Sequence, residues 1–194
     1  MDGETDADGY VMRVGDRLLD VTGRPILELK ERYTPLRPAG YGDPTRQSHT
    51  YIAAERASGR EVFVKDVPTD RSGRNREKGI LYYLRDVVGG KYPQLQTMRE
   101  HYSGNDRDAY VFDKCPGGDL EGLCVSGAWN CEKTIRDLFK GMVTAVKQCH
   151  EAGIYHGDIK PDNFLLWDKS MKDIRLTDFN TSLAICVSRR TERT

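Results

Sequence analysis

Residues 154–180 read IYHGDIKPDNFLLWDKSMKDIRLTDFN. Short apolar pieces, Ile154–His156, Phe164–Trp167 and Ile174–Thr177, have the look of strands. They flank one polar loop carrying Asp158, Lys160, Asp162 and Asn163, and a second carrying Asp178. A hard dication such as magnesium takes oxygen ligands, usually one or two carboxylates together with substrate phosphates. Asn163 and Asp178 offer such oxygens. Asp158, five residues before Asn163, is placed to orient a hydroxyl for attack on phosphorus, and Lys160 to neutralise charge on the transferred group.

Working outward, the strongest helix signal runs from about Cys131 to Ala152. Ile135, Leu138, Phe139, Met142, Ala145, Val146 and Cys149 recur at helical spacing and are expected in the core. Asn130 suits the N-cap and Gly153 the position after the end. Upstream, Glu61–Val67 (EVFVKDV) is the clearest strand, paired with Thr50–Ala53 across the turn Ala57–Arg60. Residues 70–86 switch to a helical pattern, with Ile80, Leu81 and Leu84 on one face and Glu77 one turn earlier. Strands are expected near 95–102 and 109–114 around the turn SGNDRD, with CPGGDL (115–120) as a connector. Residues 1–9 read as an acidic tail, Tyr10 to Leu29 as a small β-meander, and 38–48 (PAGYGDPTRQS) as a Gly/Pro-rich loop. Strands come first and helices later, an α+β order.

Composition narrows the function classes. The 194 residues carry 30 Lys and Arg against 30 Asp and Glu, so the net charge is +0. A generic nucleic-acid binder needs a basic excess, so no nucleic-acid partner is expected. No apolar run approaches the roughly 18–20 residues that span a bilayer, and the acidic start does not resemble a signal peptide, so no membrane partner is expected. Five scattered cysteines (Cys115, Cys124, Cys131, Cys149, Cys186), none in a CxxC pair, fit reduced thiols in a cytoplasmic or nuclear protein. The four histidines show no metal spacing, and His156 is expected to shape its loop rather than react.

The order His156-Gly157-Asp158-Ile159-Lys160-Pro161-Asp162-Asn163 followed by Asp178-Phe179-Asn180 resembles the catalytic loop and Asp-Phe-Gly motif of protein kinases, in the serine/threonine form. That resemblance implies a two-lobed protein-kinase-like fold: a β-rich N-lobe with one helix and an incomplete helical C-lobe. Residues 1–29 would then be a tail with an extra β-segment, 30–114 the N-lobe, and 115–194 the hinge and a truncated C-lobe. It implies ATP and Mg2+ as cofactors, with Asp158 as catalytic base, Lys160 on the γ-phosphate, and Asn163 and Asp178 on the metal. Lys65 would grip phosphates and pair with Glu77. DAYVFDKCPGGDL resembles the hinge: Phe112 as gatekeeper, backbone groups from Asp113 to Cys115 toward adenine, and Asp119 toward ribose. Gly40 and Gly42 stand where a phosphate-cradling loop is expected.

Departures accompany the match. The third glycine of the cradle is missing. Gly157 replaces the arginine that meets a phosphorylated activation loop, implying that this switch is absent. Asn180 replaces a glycine, and asparagine tolerates unusual backbone angles well. Sixteen residues follow Asp178, without an Ala-Pro-Glu motif. Part of the 131–152 helix face would then need another cover. A fragment, a truncated product and half of a complex with a partner over the C-lobe stay open. The expected activity is phosphate transfer to a protein hydroxyl, with a protein substrate or regulatory protein as partner. The alternatives are a catalytically impaired pseudokinase acting as scaffold or regulator, and a small-molecule kinase of the aminoglycoside or choline type, suggested by His156-Gly157-Asp158.

Overall fold

The structure is a computed structural model, and it describes residues 29–39, 48–69, 76–103, 107–127, 131–169 and 172–185. The acidic tail, the expected meander before Leu29, and the glycine loop with Gly40 and Gly42 lie outside the described residues, as does Asn130. The chain divides into two units, one of residues 1–74 with 98–114, the other of 75–97 with 115–194.

The first unit is an antiparallel sheet. A single helical turn, α1 (Leu29–Arg32), leads into β1 (Tyr33–Pro38), β2 (His49–Glu55), β3 (Glu61–Pro68), β4 (Met98–Ser103) and β5 (Arg107–Asp113), in spatial order β1-β2-β3-β5-β4. The β2–β3 hairpin closes where Gly59 takes φ +70°, donates to the Glu55 carbonyl at 2.7 Å, and leaves the Ser58 hydroxyl on the Glu55 carboxylate at 2.6 Å. Successive strand side chains point to opposite faces. Val62 and Val64 therefore share a core with Leu29, Tyr33, Tyr51, Ala53, Tyr102, Ala109 and Val111. Phe63 and Lys65 occupy the other face, where the Phe63 ring lies 6.4 Å from that of Phe112. At the core's rim the Tyr33 and Tyr102 hydroxyls both donate to Glu100, at 2.9 and 3.0 Å. Arg32 bridges Glu100 at 2.9 Å and Glu55 at 3.0 Å.

The second unit opens with α2 (Arg76–Tyr82), which widens into a π-helical turn at Tyr83–Val88. Ile80, Leu81 and Leu84 are buried, as their spacing requires. Residues 75–97, placed by the sequence within 30–114, group with this unit for a visible reason. The Tyr83 hydroxyl donates to the Ala152 carbonyl at 3.0 Å, and Gln94 and Gln96 pair with Leu176 through their backbones. A short helix, α3 (Leu120–Ser126), follows the CPGGDL connector and was not legible in the sequence.

The long helix α4 (Glu132–Glu151) ends at Gly153, which adopts φ +73°. Cys131, not Asn130, stands at its N-cap. The expectation that the whole apolar stripe is core needs correction. Leu138, Ala145 and Cys149 are buried, but Ile135 is 46% exposed and Phe139 64%. The stripe is wider than the surface it meets: α4 packs on β6 (Ile154–Tyr155) and β8 (Ile174–Leu176), with Ile174 so close to Gly141 that a Cβ there would lie 2.8 Å from its Cδ1.

Candidate active site

Two small ladders frame the loops of 154–184. β7 (Phe164–Leu166) pairs antiparallel with β8, and β6 pairs with β9 (Leu183–Ala184). Strands of two or three residues offer too few ladder bonds to be stable alone. Side-chain bonds and a few buried apolar residues complete the frame.

His156 is the junction, as its expected loop-shaping role suggested. Its Nε2 lies 2.8 Å from the Thr177 carbonyl, and its Nδ1 accepts from the Asp158 N–H at 3.3 Å. Those partners assign the proton to Nε2 of a neutral ring. Burial pushes the imidazole's pKa down, which favours the same neutral form. Phe179, 1% exposed, meets the ring edge-on at 5.1 Å.

Asn163 closes a 3₁₀ turn (Pro161–Asn163) and is buried. Its Nδ2 donates to the Asp158 carbonyl at 2.7 Å and to the Asp158 carboxylate at 3.1 Å, while its backbone carbonyl accepts from the Thr177 N–H at 3.0 Å. One side chain therefore holds the Asp158 segment, and its backbone holds the segment entering Asp178. With both amide hydrogens turned to Asp158, Asn163 keeps its oxygen for another partner. Lys160 Nζ lies 3.1 Å from the Asp158 carboxylate and 3.2 Å from that of Asp162. Partial burial raises the Asp158 pKa, but the bonds from Lys160 and Asn163 outweigh it and hold the carboxyl below its ordinary range. Asp158 is thus an anion at neutral pH, aligned by two donors. Lys160 is held charged by Asp158 and Asp162.

Asp178 takes φ +60°, ψ +72°, the one non-glycine residue with positive φ among the described residues. A left-handed conformation at a residue with a Cβ costs of the order of 1–2 kcal/mol and needs local support. Asn180 contributes, donating to the Asp178 carboxylate at 3.3 Å.

Asp158, Lys160 and Asn163 are thus in direct contact, and Asp178 is tied to them through Thr177. Glu77 is buried on α2, which packs against the turn Phe179–Thr181. Lys65 stands in the first unit, half-buried on β3 between Thr50 and Tyr110 of the neighbouring strands. Asp113 ends β5, its carboxylate on Arg99 at 2.7 Å and Arg60 at 3.2 Å. Cys115 Sγ lies 4.0 Å from the Gln96 amide oxygen. Asp119 caps α3, accepting from the Gly122 N–H at 2.7 Å. Sequence reasoning missed Thr181 and Ser182, whose hydroxyls donate to the His156 carbonyl at 3.0 and 2.9 Å. Contacts across 25 and 26 residues between short polar side chains leave no periodic trace.

The donor set suits a hard dication: the Asn163 amide oxygen and the Asp178 carboxylate are the oxygen ligands magnesium accepts when phosphates complete its shell. Among the described residues no group of three or more His, Cys, Asp or Glu forms a metal cage. An all-protein cage is not what magnesium uses beside a nucleotide.

The model of the protein kinase domain family matches residues 39–192, most of the chain. The chain belongs to the protein kinase domain family. Calcium-dependent protein kinase 19 of Arabidopsis thaliana is 29% identical over 174 residues, covering 85% of this chain and 30% of that protein. CBL-interacting protein kinase 29 of Oryza sativa subsp. japonica is 30% identical over 139 residues, 66% of this chain and 31% of that one. The chain thus spans about a third of the length of the curated relatives it matches. The BubR1 kinase domain superposes with a TM-score of 0.62 at 23% identity, over 79% of this chain and 48% of that one. Rad53 1–466, solved in complex with AMP-PNP, gives 0.65 at 23% identity, over 78% and 39%. The fold is that of a protein kinase, α+β, with a five-stranded sheet unit and an incomplete helical unit.

Proposed function

We propose that this kinase-family chain carries an ATP-dependent serine/threonine phosphotransferase site acting on a protein hydroxyl. The observation that carries the reading is the Asp158 carboxylate, held ionised and aimed by Lys160 and Asn163. In this reading Asp158 orients the acceptor hydroxyl and takes its proton, and Lys160 balances charge on the transferred phosphoryl group. Asn163 and Asp178 would hold magnesium, which when bound neutralises the nucleotide's phosphates. Lys65, with Glu77, grips phosphates, and Gly40 and Gly42 belong to the cradle. Backbone groups from Asp113 to Cys115 receive the base. Asp119 meets the ribose from its position at the start of α3. Support for the nucleotide comes from the likeness to Rad53, which holds AMP-PNP.

Replacing Asp158 by Asn keeps the shape and removes the anion. Phosphate transfer to a protein substrate falls by about 10²–10⁴-fold, the usual contribution of a positioned base, while nucleotide affinity stays near the parent's. Parent-like transfer by the D158N protein rejects the assignment. Thermal stabilisation of the parent by ATP and magnesium, without any turnover, favours the scaffold reading instead.

A further inference from the structure

We infer that Thr181 and Ser182 are positioning residues that lock the Asp158 loop to the Asp178 loop by donating two hydroxyl hydrogen bonds to a single carbonyl, that of His156. The inference deepens the proposed phosphotransfer reading and rests on it for its catalytic consequence; the clamp itself rests on geometry.

The Thr181 hydroxyl reaches the His156 oxygen at 3.0 Å and the Ser182 hydroxyl reaches it at 2.9 Å. A carbonyl has two acceptor sites, so both are filled. Ser182 is 0% exposed, and its hydroxyl has no water to fall back on. The approach depends on Gly157. It adopts φ +83°, and a Cβ there would sit 3.0 Å from the Thr181 carbonyl oxygen and 3.2 Å from its hydroxyl oxygen. Glycine takes this positive φ without strain, and a side chain there would push the two segments apart by a few tenths of an ångström.

The clamp's position along the chain gives it a consequence. Asp158 lies two residues after the clamped carbonyl, and Asp178 lies three residues before the first clamping hydroxyl. The β6–β9 ladder that joins the same segments pairs only Ile154 with Ala184 and Tyr155 with Leu183. Beyond that two-residue ladder the loops are otherwise joined at Thr177, to the His156 ring and the Asn163 carbonyl, before Asp178 rather than after it, and misplacement by about 1 Å can cost about 10²-fold in rate. The two hydroxyls extend the join past the ladder to the residues that matter.

The test uses the full chain with Thr181→Val, Thr181→Ser, Ser182→Ala and the T181V/S182A double variant. In the double variant kcat falls by about 10–10²-fold while the Kd for ATP with magnesium moves by less than about threefold. Thr181→Ser, which keeps the hydroxyl, stays near the parent, whereas Thr181→Val, which keeps the volume, does not. Hydrogen exchange gives a second readout: the Asp158 amide in the double variant exchanges about tenfold faster or more, while amides of β3 and β5 keep their parent rates. Equal rates in parent and double variant overturn the clamp. So does a Thr181→Ser protein as impaired as Thr181→Val, or an exchange increase shared by β3 and β5. A parent that binds no nucleotide defeats the phosphotransfer reading instead. The Asp158 amide alone then decides the clamp, faster exchange upholding it and unchanged exchange overturning it.

Discussion

In the sheet unit, strands of six to eight residues pair along their length, and alternation delivers eight side chains to one buried cluster that Leu29 of α1 completes. In the loop unit the ladders around Asp158 are two or three residues long; the candidate catalytic side chains are aimed by partners two to five residues away, and their loops are joined by hydrogen bonds from side chains to backbone atoms 21 and 26 residues away. The first arrangement derives stability from area removed from water, with the Glu100 contacts at the edge of that cluster and a buried His101–Asp108 pair elsewhere on the sheet. The second needs exact directions more than area, so it spends polar groups on aim. Its loops still rest on buried apolar residues, Ile154, Phe164, Leu166, Ile174, Leu176 and Phe179, and Phe179, between the metal-binding candidate Asp178 and the clamping Thr181, stands nearest the polar links.

That contrast is open to attack first at Phe179. Its ring is buried against His156, and Phe179→Ala removes the ring while leaving every polar link in place. The expected cost is about 3–5 kcal/mol in urea-induced unfolding. A cost near zero would mean that the polar links hold the Phe179 turn without its ring. A smaller effect is expected at the sheet's polar rim. Glu100→Ala strands the Tyr33 and Tyr102 hydroxyls and one bond from Arg32, at a cost of about 1–3 kcal/mol by the same measurement. If the Glu100 change proves the more damaging, burial is not what separates the two regions.

How much was legible in the sequence follows the same line. Val62, Phe63, Val64 and Val67 are β-formers, and a strand follows there; it buries alternate positions, Val62, Val64 and Asp66, and that an aspartate takes the third was not legible. Leu138, Ala145 and Cys149 recur at helical spacing, and α4 follows. Asp158, Lys160, Asn163 and Asp178 were legible as a fixed order of residue types, and the first three meet in space. Three further features were not. Helix α3 is seven residues long, contains Gly122 and has Leu120 as its one buried residue, so neither propensity nor period announces it. Phe139 fits the apolar stripe of α4 as well as Leu138 does, yet spacing alone says nothing of which part of a stripe meets a neighbour. Thr181 and Ser182 read as loop residues, because what they bind is a carbonyl, and a carbonyl has no signature in sequence.

The finest test uses the cysteines, all five of which lie at or beyond position 115, so thiol chemistry reads the second unit alone. Cys131, exposed at the start of α4, has its thiol pKa lowered by hydrogen bonds from the Thr134 backbone and hydroxyl and the Lys133 backbone. Burial pushes the thiol of Cys149, on the covered face of the same helix, up to about 12. The thiolate is the reacting form, so at pH 8 only about one Cys149 in 10⁴ is ionised, before any loss of access is counted. Iodoacetamide labelling followed by mass spectrometry should find Cys131 modified early and Cys149 last. Between pH 7 and 9 the Cys149 rate should climb about tenfold per pH unit, and the Cys131 rate less steeply, because more of it is already thiolate. Phe179→Ala should hasten Cys149 labelling by loosening its unit. Leu29→Ala, which empties part of the sheet cluster, should not. If Leu29→Ala hastens it as much, the sheet and the loop unit open as one body, and the difference between them is one of construction without a difference in stability.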